Sequence, residues 1–369
     1  MHWIDDIRRD IASIHSSLKE LKKFGAPELI LMTSVMTYWY PGVHETIREV
    51  RQIHPETPII LGGNYATLCR NHAQQFSGAD RIITGGDFKT IFNGLKFHLG
   101  DKLDIDQIPL DFSGYPVPDY SFYSTLHSAA ILTSRGCPYA CDYCASRHLW
   151  QGYKHRTINS VTDEIMFLQE SMQSVNIAFY DDALLFNAES HLLPILKSIQ
   201  ARGFKGKLHL PNGISPGNLT LEIAEFMKAT GFYTLRLSFE SAIKKFQHRF
   251  SNKVSNEAFK QSVQIFYQAG FVPSQIETYV MTGLPGQTIE DIKETLQFVH
   301  DCGARSIVTR YALVPHTADF NREISKHPEY ETEPLYHNNT LAPYRFSDSN
   351  DFWVFKELEQ YCRELNQKL

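Results

Sequence analysis

The sequence has few cysteines, no block of basic residues and no long hydrophobic run. Six cysteines in 369 residues are too few for a disulfide framework, and this usage is typical of a reducing compartment. A net charge of −5 without a basic cluster lacks the electrostatic footprint of a nucleic-acid-binding protein. No apolar run reaches the roughly 18 residues that a membrane span needs. The first residues also lack the basic-then-apolar order of a signal peptide. We therefore expect a cytoplasmic protein with no nucleic-acid or membrane partner.

The bulk composition is that of a globular protein with a sizeable core. Hydrophobic residues make up 43% of the chain and charged residues 21%. The length suggests one large domain or two domains of ordinary size.

Three of the six cysteines lie in one short stretch, which runs Ser134-Arg-Gly-Cys-Pro-Tyr-Ala-Cys-Asp-Tyr-Cys-Ala145. Their spacing is C-x3-C-x2-C, at Cys137, Cys141 and Cys144, directly after an apolar run at 129–133 that is typical of a buried strand. Three thiolates on one loop can each bind one iron of a [4Fe–4S] cluster, and most such clusters take four cysteines. Because no fourth cysteine lies nearby in sequence, one iron would be left open for a small molecule.

A structural zinc site is the alternative interpretation of the same stretch. Zinc sites in proteins usually combine two close ligand pairs. Here Cys141 and Cys144 form one such pair, and His148 and His155 are further candidate ligands. The spacing favours the iron–sulfur cluster and leaves zinc open.

From Ala129 the hydrophobic pattern alternates between strand and helix six times, which predicts a parallel sheet. The predicted strands lie near 129–134, 175–180, 207–211, 234–239, 275–281 and 306–312. The predicted helices lie near 160–172, 188–201, 220–230, 256–269 and 289–301. Six units are too few for a closed eight-stranded barrel. Polar residues at the strand ends, among them Tyr180, Asp182 and Tyr311, are candidates for acid–base or radical chemistry on position alone.

The N-terminal part of the chain predicts a second, smaller α/β domain at 1–99. Residues 2–24 have the apolar spacing of an amphipathic helix. Strands are predicted at 28–33, 58–61 and 79–84, and the last two end in glycine pairs at 62–63 and 85–86. Glycines at strand ends let a ligand approach the backbone.

The remaining segments connect or cover these domains. Residues 100–128 are rich in proline and predict a linker. Residues 317–350 show no period and predict an ordered lid or a mobile loop, which would exclude water from a reactive site. The stretch at 352–365 has helical spacing, so 317–369 is predicted as a C-terminal lid and helix.

The cysteine spacing, with the aromatic Tyr143 before the third cysteine, resembles the radical S-adenosylmethionine (SAM) superfamily. In that family the open iron chelates the amino and carboxylate groups of SAM, and an electron from the cluster cleaves SAM to a 5'-deoxyadenosyl radical. The resemblance implies a partial (β/α)6, TIM-like barrel at 129–316, a [4Fe–4S] cluster and SAM. It also implies an electron donor such as flavodoxin or ferredoxin, and a small-molecule or peptide substrate that the sequence does not identify.

The resemblance also implies residues that contact SAM at the strand ends. Ser238 and Glu240 would lie near the ribose or amino group of SAM. Arg249 would meet the carboxylate of SAM.

Two further strand ends match the family pattern. The loop from Gly283 to Gly286 would form the wall beside the methionyl end. Tyr143 and the backbone near Leu313 would hold the adenine. His316 stands where related proteins often carry glycine after proline.

The segment at 28–95 resembles the later half of the cobalamin-binding domain that precedes many radical SAM cores. The matching pieces are the strand before Ser34, the stretch Leu61–Thr67 and the stretch Ile83–Asp87. The first two strand–helix units of such a domain have no counterpart, and the cobalt-ligating Asp-x-His-x-x-Gly motif is absent. The last turn has Gly-Gly-Asp where the family has a Gly-Glu-Gly-Glu-like turn. The resemblance therefore implies an incomplete Rossmann-like domain that either binds cobalamin or braces the core.

These observations lead to one main hypothesis and two alternatives. The main hypothesis is a radical SAM enzyme that cleaves SAM reductively. Its more specific version is that the enzyme carries out cobalamin-assisted methylation. The first alternative is a non-catalytic iron–sulfur electron carrier or sensor on the same fold. The second is a zinc-stabilised binding module.

Overall fold

A computed structural model describes residues 25–104, 111–120, 126–171, 175–340 and 352–369 of the chain. These residues form two compact units. The first unit contains the chain up to Asp111 together with His148–Trp150 and Leu313–Asn338, and the second contains Phe112–Arg147, Gln151–Ala312 and Asn339–Leu369. The helix predicted for 2–24 lies outside the described residues. Within the described part, no helix is both long and apolar enough to cross a membrane.

The first unit is built on a three-stranded parallel sheet with helices on both faces. Its strands follow one another in chain order: β1 (Ile30–Ser34), β2 (Ile59–Gly62) and β3 (Arg81–Ile82). Its helices are α1 (Tyr40–Ile53), α2 (Gly63–Leu68), α3 (Arg70–Phe76) and α4 (Phe88–Leu99). The central strand is apolar throughout because both of its faces are covered, as is usual in parallel sheets. Ile59 and Leu61 pack into one core with α1 and α2, and Ile60 packs into another with Leu95 of α4. The predicted half of an open α/β domain is confirmed.

The second unit is an open barrel of six parallel strands. In sheet order these are β4 (Ala129–Ile131), β7 (Asn176–Phe179), β8 (Lys207–His209), β9 (Phe232–Glu240), β10 (Ile276–Thr282) and β11 (Arg305–Arg310). The order follows the chain, and β4 and β11 stand at opposite edges. A short antiparallel pair, β5 (Ser134–Arg135) and β6 (Lys154–His155), follows β4. The predicted partial (β/α)6 barrel is confirmed.

The helices of this unit lie close to their predicted positions. They are α5 (Ser146–Leu149), of which only the first two residues belong to this unit, α6 (Ile158–Ser171), α7 (Leu192–Ala201), α8 (Leu221–Ala229), α9 (Lys244–Arg249), α10 (Asn256–Gln268) and α11 (Ile289–Asp301). The sequence did not predict α5 and α9, since each has six residues or fewer and neither shows a full helical period.

Alternation along the central strands decides which side chains face the core. Every second residue is buried in β10 and in the part of β9 from Leu235 to Phe239. Leu235, Leu237 and Phe239 join Phe259 of α10 in one large core, and the Phe239 and Phe259 rings stack with centroids 4.3 Å apart. The alternate residues, such as Arg236 and Ser238, stay half-buried on the other face of the sheet. This polar face is where ligands can bind.

The chain after β11 groups with the first unit rather than with the barrel. It forms α12 (Ala318–Glu323), α13 (Glu329–Thr332) and a 3-10 turn at Pro334–His337. His337 Nδ1 lies 3.1 Å from Thr37 Oγ1, and Tyr40 donates to Glu333 at 2.9 Å. These polar contacts explain why the observed division at Leu313 and Asn338 differs from the boundary predicted at 316. The lid role of 317–350 stays a prediction. The terminal helix α14 (Phe352–Asn366) belongs to the second unit.

We expect Phe259→Ala to destabilise the second unit strongly. The side chain is fully buried, so its removal leaves a cavity and lowers the free energy of unfolding by about 3–5 kcal/mol. The measurement is urea unfolding of purified protein followed by circular dichroism. Phe167→Ala on α6 is the matched control, because Phe167 is 46% exposed and its loss costs about 1 kcal/mol. Equal losses for both variants would contradict this account of the core.

Candidate active site

The cysteine loop, defined here as residues 136–145, begins where β5 ends. Gly136 has a φ of 76°, in the left-handed region where glycine is favoured, and it turns the chain sharply out of the strand. Cys137 and Cys141 are half-buried and Cys144 is exposed. All three thiols are free, as a ligand set requires.

A buried carboxylate fixes the start of this loop. Asp181, 4% exposed, follows β7 and accepts hydrogen bonds from the end of the neighbouring strand β4. Its Oδ1 accepts from Thr133 Oγ1 at 2.7 Å and from both the backbone nitrogen and the hydroxyl of Ser134 at 2.5 Å. Its Oδ2 accepts from the Thr133 backbone nitrogen at 3.2 Å. Burial raises the pKa of Asp181, and these donors act in the opposite direction.

The adjacent Asp182 fixes the other end of the loop. Its Oδ2 accepts from the Ser146 hydroxyl at 2.6 Å, and the carboxylate also accepts from the backbone of Gly136. The two consecutive aspartates therefore hold both ends of the cysteine loop against the end of β7. The acid–base role that the sequence suggests for Asp182 stays a prediction.

A tight turn after α9 forms the opposite wall of the loop. The Ala140 nitrogen donates to Ser251 Oγ at 2.9 Å, the Asp142 nitrogen donates to the Arg249 carbonyl at 2.9 Å, and Cys141 Sγ donates to the Phe250 carbonyl at 3.4 Å. Ser251 and Asn252 both have positive φ angles, of 60° and 48°, which residues other than glycine seldom adopt. We call residues 249–253 the 249–253 turn. This turn was not predicted from the sequence, although a serine–asparagine pair after a short helix is a turn signal.

The same turn brings Lys253 into contact with two predicted SAM-binding residues. Tyr143 donates to Glu240 Oε1 at 3.0 Å, and Lys253 Nζ donates to the same oxygen at 2.9 Å. Lys253 Nζ also lies 3.3 Å from the Tyr143 hydroxyl. Burial would lower the pKa of Lys253, but the charge of Glu240, its hydrogen bond with Lys253 and the charges of Cys141 and Cys144 together outweigh burial and raise the pKa. Burial, together with Glu240, raises the pKa of Tyr143.

Glu240 has two features of a residue held for a purpose other than folding. Its φ of 62° places a non-glycine residue in the left-handed region at the end of β9. Its Oε2 is buried and has no hydrogen-bond partner among the described residues. A buried acceptor without a partner is unfavourable for folding.

The donor set around the cysteines suits a [4Fe–4S] cluster. Burial raises the pKa of all three thiols, to about 12 for Cys141, and the Lys253 charge lowers it in each case. The backbone N–H of Ser146 points at Cys144 Sγ at 3.5 Å, and Tyr139 contributes a backbone hydrogen bond to Cys137. Hydrogen bonds from backbone N–H groups to sulfur stabilise the negative charge of a cluster.

The zinc interpretation finds no arranged ligand set in the described residues. No group of three histidine, cysteine or acidic side chains there converges on one metal ion. A cubane differs from zinc because each of its cysteines binds a different iron. Metal analysis of the protein decides between the two.

Arg249, another predicted SAM-binding residue, contacts two loops of the site. Arg249 Nη1 donates to the Pro285 carbonyl at 3.2 Å, and its Nε lies 3.8 Å from Asp142 Oδ2. Arg249 thus links the cysteine loop to the loop that Gly283 begins after β10. The contact of Arg249 with the carboxylate of SAM stays a prediction.

Ser238 lies on the half-buried face of β9, where a Cβ on Gly213 would come within 2.3 Å of its hydroxyl. Leu313 is fully buried and groups with the first unit. Of the other candidates, Tyr180 is 43% exposed at the end of β7 and Tyr311 is buried. The roles of these four residues stay predictions.

His316 adopts the backbone conformation that explains the glycine found at this place in related proteins. Its φ is 69°, in the region that glycine occupies without strain. Its Nε2 lies 3.0 Å from the Leu68 carbonyl, and its ring lies 5.8 Å from that of His148. All three residues belong to the first unit.

Comparison with known proteins identifies the second unit. Residues 131–299 match the radical SAM superfamily model. Among characterised relatives is cytidylyl-2-hydroxyethylphosphonate methyltransferase from Streptomyces wedmorensis. It is 21% identical over an alignment 352 residues long, and this alignment covers 78% of this chain and 65% of the relative. The chain thus spans slightly less than two thirds of the length of that relative.

Two solved structures have a similar fold over most of the chain. The radical SAM methyltransferase TsrM from Kitasatospora setae, with tryptophan and a SAM analogue bound, has a TM-score of 0.68 at 16% identity and covers 84% of this chain and 67% of its own. The cobalamin-dependent SAM radical enzyme OxsB, with aqua-cobalamin and SAM bound, has a TM-score of 0.61 at 15% identity and covers 96% and 55%. Residues 131–299, which include the cysteine loop and most of the barrel, therefore match the radical SAM superfamily, and the fold of the chain is similar to that of these two structures.

Proposed function

We propose that this protein is an enzyme that holds a [4Fe–4S] cluster at Cys137, Cys141 and Cys144 and cleaves SAM reductively to a 5'-deoxyadenosyl radical. The observation that carries the proposal is the cysteine loop itself. It holds three free thiols on one loop, clamped at both ends, inside a stretch that matches the radical SAM superfamily model. The cluster, when bound, supplies one electron to SAM.

The chain's own residues prepare the site for this chemistry. Asp181 and Asp182 keep the two ends of the cysteine loop in place, so the three thiols are presented together. Lys253 places a positive charge near all three thiols and offsets the negative charge that they develop on losing protons. Glu240 keeps one buried oxygen available to accept a hydrogen bond from SAM. A protein electron donor and a small-molecule or peptide substrate complete the proposed reaction.

A second candidate function is cobalamin-assisted methyl transfer, and one glycine of the first unit favours it. Gly63, after β2, has a φ of 87°, and a Cβ there would lie 2.4 Å from Thr33 Oγ1, so the fold itself requires this glycine. The preceding Gly62 is extended, with a φ of −127°, and a Cβ there would meet nothing closer than 3.7 Å. Folding does not explain Gly62, whereas the approach of a ligand to the strand end would explain it. TsrM and OxsB, whose folds this chain shares over most of its length, are a methyltransferase and a cobalamin-dependent enzyme.

Anaerobic reconstitution with iron and sulfide, followed by reduction in the presence of SAM, tests the main proposal. We expect about four irons per chain and formation of 5'-deoxyadenosine. Cys141→Ala should abolish both, because one iron loses its ligand. Cys302→Ala, at the end of α11, is the matched control and should behave as the parent. Stoichiometric zinc without iron would overturn the proposal. A cluster without SAM cleavage would favour the electron carrier.

Replacing Asp181 should impair cluster loading before it affects chemistry. In Asp181→Asn an amide nitrogen takes the place of Oδ2 and faces the Thr133 backbone N–H, which leaves a buried donor unsatisfied at a cost of about 1–3 kcal/mol. We expect a lower melting temperature of the metal-free protein and fewer irons per chain after reconstitution. Asp163→Asn on α6 is the control, since the Asp163 side chain is 65% exposed and its carboxylate pairs with Arg202 at the surface. Iron content and melting temperature equal to those of the parent would contradict the clamping role of Asp181.

Filling the space beside Gly62 tests the second candidate function. Gly62→Leu keeps an allowed extended backbone but places a side chain at the end of β2. If cobalamin binds there, equilibrium dialysis should show binding of hydroxocobalamin to the parent and at least about a tenfold loss in the variant. Lys96→Leu adds the same side chain on an exposed helix position of the same unit and should bind as the parent does. Failure of the parent to bind hydroxocobalamin would remove the methyl-transfer candidate and leave the radical SAM proposal standing.

A further inference from the structure

The buried contact between Lys253 and Glu240 is more than an ordinary ion pair. The two side chains are 10% and 6% exposed, and their charged atoms lie 2.9 Å apart. A pair that only stabilised the fold would satisfy both carboxylate oxygens, because an unsatisfied buried acceptor is unfavourable. Here Lys253 and Tyr143 both donate to Oε1, and Oε2 is left buried without a partner among the described residues.

The backbone around Lys253 is built to hold this arrangement. Two consecutive residues with positive φ, Ser251 and Asn252, reverse the chain immediately before Lys253. The Lys253 carbonyl accepts from Ser215 Oγ at 3.4 Å, and a Cβ on Gly217 would approach it to 3.0 Å. Strained backbone of this kind persists where the surrounding structure determines it, and it is concentrated at functional sites.

We propose that Lys253 is a positioning residue for SAM: it holds the Glu240 carboxylate with Oε1 saturated, so that Oε2 faces the site as the acceptor for a hydrogen-bond donor of SAM. This inference rests on the proposed function and adds a residue that the sequence pattern did not indicate. Lys253 then contributes to SAM binding through Glu240 and not through a contact of its own.

The alternative is that Lys253 stabilises the 249–253 turn or the cluster without affecting Glu240. The two roles differ in how the effects of substitutions combine. If Lys253 acts through Glu240, removing both side chains should weaken SAM binding no more than removing the glutamate carboxylate alone. If the two residues act independently, their effects should add.

The experiment measures the dissociation constant of SAM by equilibrium dialysis on reconstituted protein, together with the change that SAM causes in the electron paramagnetic resonance spectrum of the reduced cluster. We expect Lys253→Met to weaken SAM binding about tenfold or more, and Lys253→Arg to restore it to within about threefold of the parent. Glu240→Gln and the double variant Glu240→Gln/Lys253→Met should agree within about twofold. Iron content and melting temperature are recorded for every variant.

Each outcome decides the proposal. Parent-like SAM binding by Lys253→Met, or additive losses in the double variant, would overturn it. If Lys253→Met does not hold a cluster, the charge-balanced Glu240→Gln/Lys253→Gln variant replaces it, and the comparison with Glu240→Gln is read in the same way. Failure of the parent itself to bind SAM would reject the proposed function, which is a result distinct from failure of the Lys253 inference.

Discussion

The hydrogen bonds that Asp181 accepts from residues 133 and 134 are the constraint on which the candidate site depends. Parallel strands of a barrel are joined along their length by backbone hydrogen bonds, but that ladder stops where the loops begin. The Asp181 carboxylate takes over at this point and joins the end of β7 to the end of β4. Arg156, after β6, supports the same strand end from a second direction. It donates to the Leu132 carbonyl at 3.2 Å and forms a buried ion pair with Glu164 of α6. The first residue of the cysteine loop therefore follows a segment with little freedom to move.

Each buried charged side chain around the site contacts partner groups of the protein. Such partners are necessary because the low-dielectric interior does not solvate a charge as water does. Asp181 has backbone and hydroxyl donors, Arg156 has Glu164, and Glu240 has Lys253. Isolated buried charges are very unfavourable, so each of these groups needs its partners to offset the free-energy cost of burial. Glu240 differs from the others because one of its oxygens has no partner in the described residues. The contacts of Asp181 and Arg156 are therefore complete within the fold, whereas those of Glu240 leave one oxygen for a ligand.

Much of the fold followed from periodicity in the sequence, because the strands of the barrel carry regularly placed apolar residues and are separated by helices. The six strands appear where they were expected, within a few residues. The cysteine loop was also recognisable, since the chemistry of a three-thiol ligand set depends on local spacing. The 249–253 turn was not, because its function depends on backbone angles at Ser251 and Asn252 that no hydrophobic pattern encodes. Nothing in the sequence distinguishes Asp181 from the adjacent Asp182, and only the three-dimensional neighbourhood of Thr133 separates their contacts.

Some glycine and glycine-like positions of the first unit are required by the fold, and others are not. At Gly86 a Cβ would lie 2.5 Å from the Trp150 ring, so packing within the unit requires that glycine. At His316 the backbone takes a glycine-like conformation, and the residue that occupies it gains a contact with the Leu68 carbonyl. Both positions are explained by the fold, and neither argues for a ligand. Gly62 has an ordinary backbone conformation, and a Cβ there would make only ordinary contacts, the nearest at 3.7 Å from the Ile83 carbonyl oxygen, so neither strain nor packing demands a glycine there. Gly62 is therefore the glycine at this end of the sheet that the approach of a cofactor would explain, and the other glycines there add little to that case.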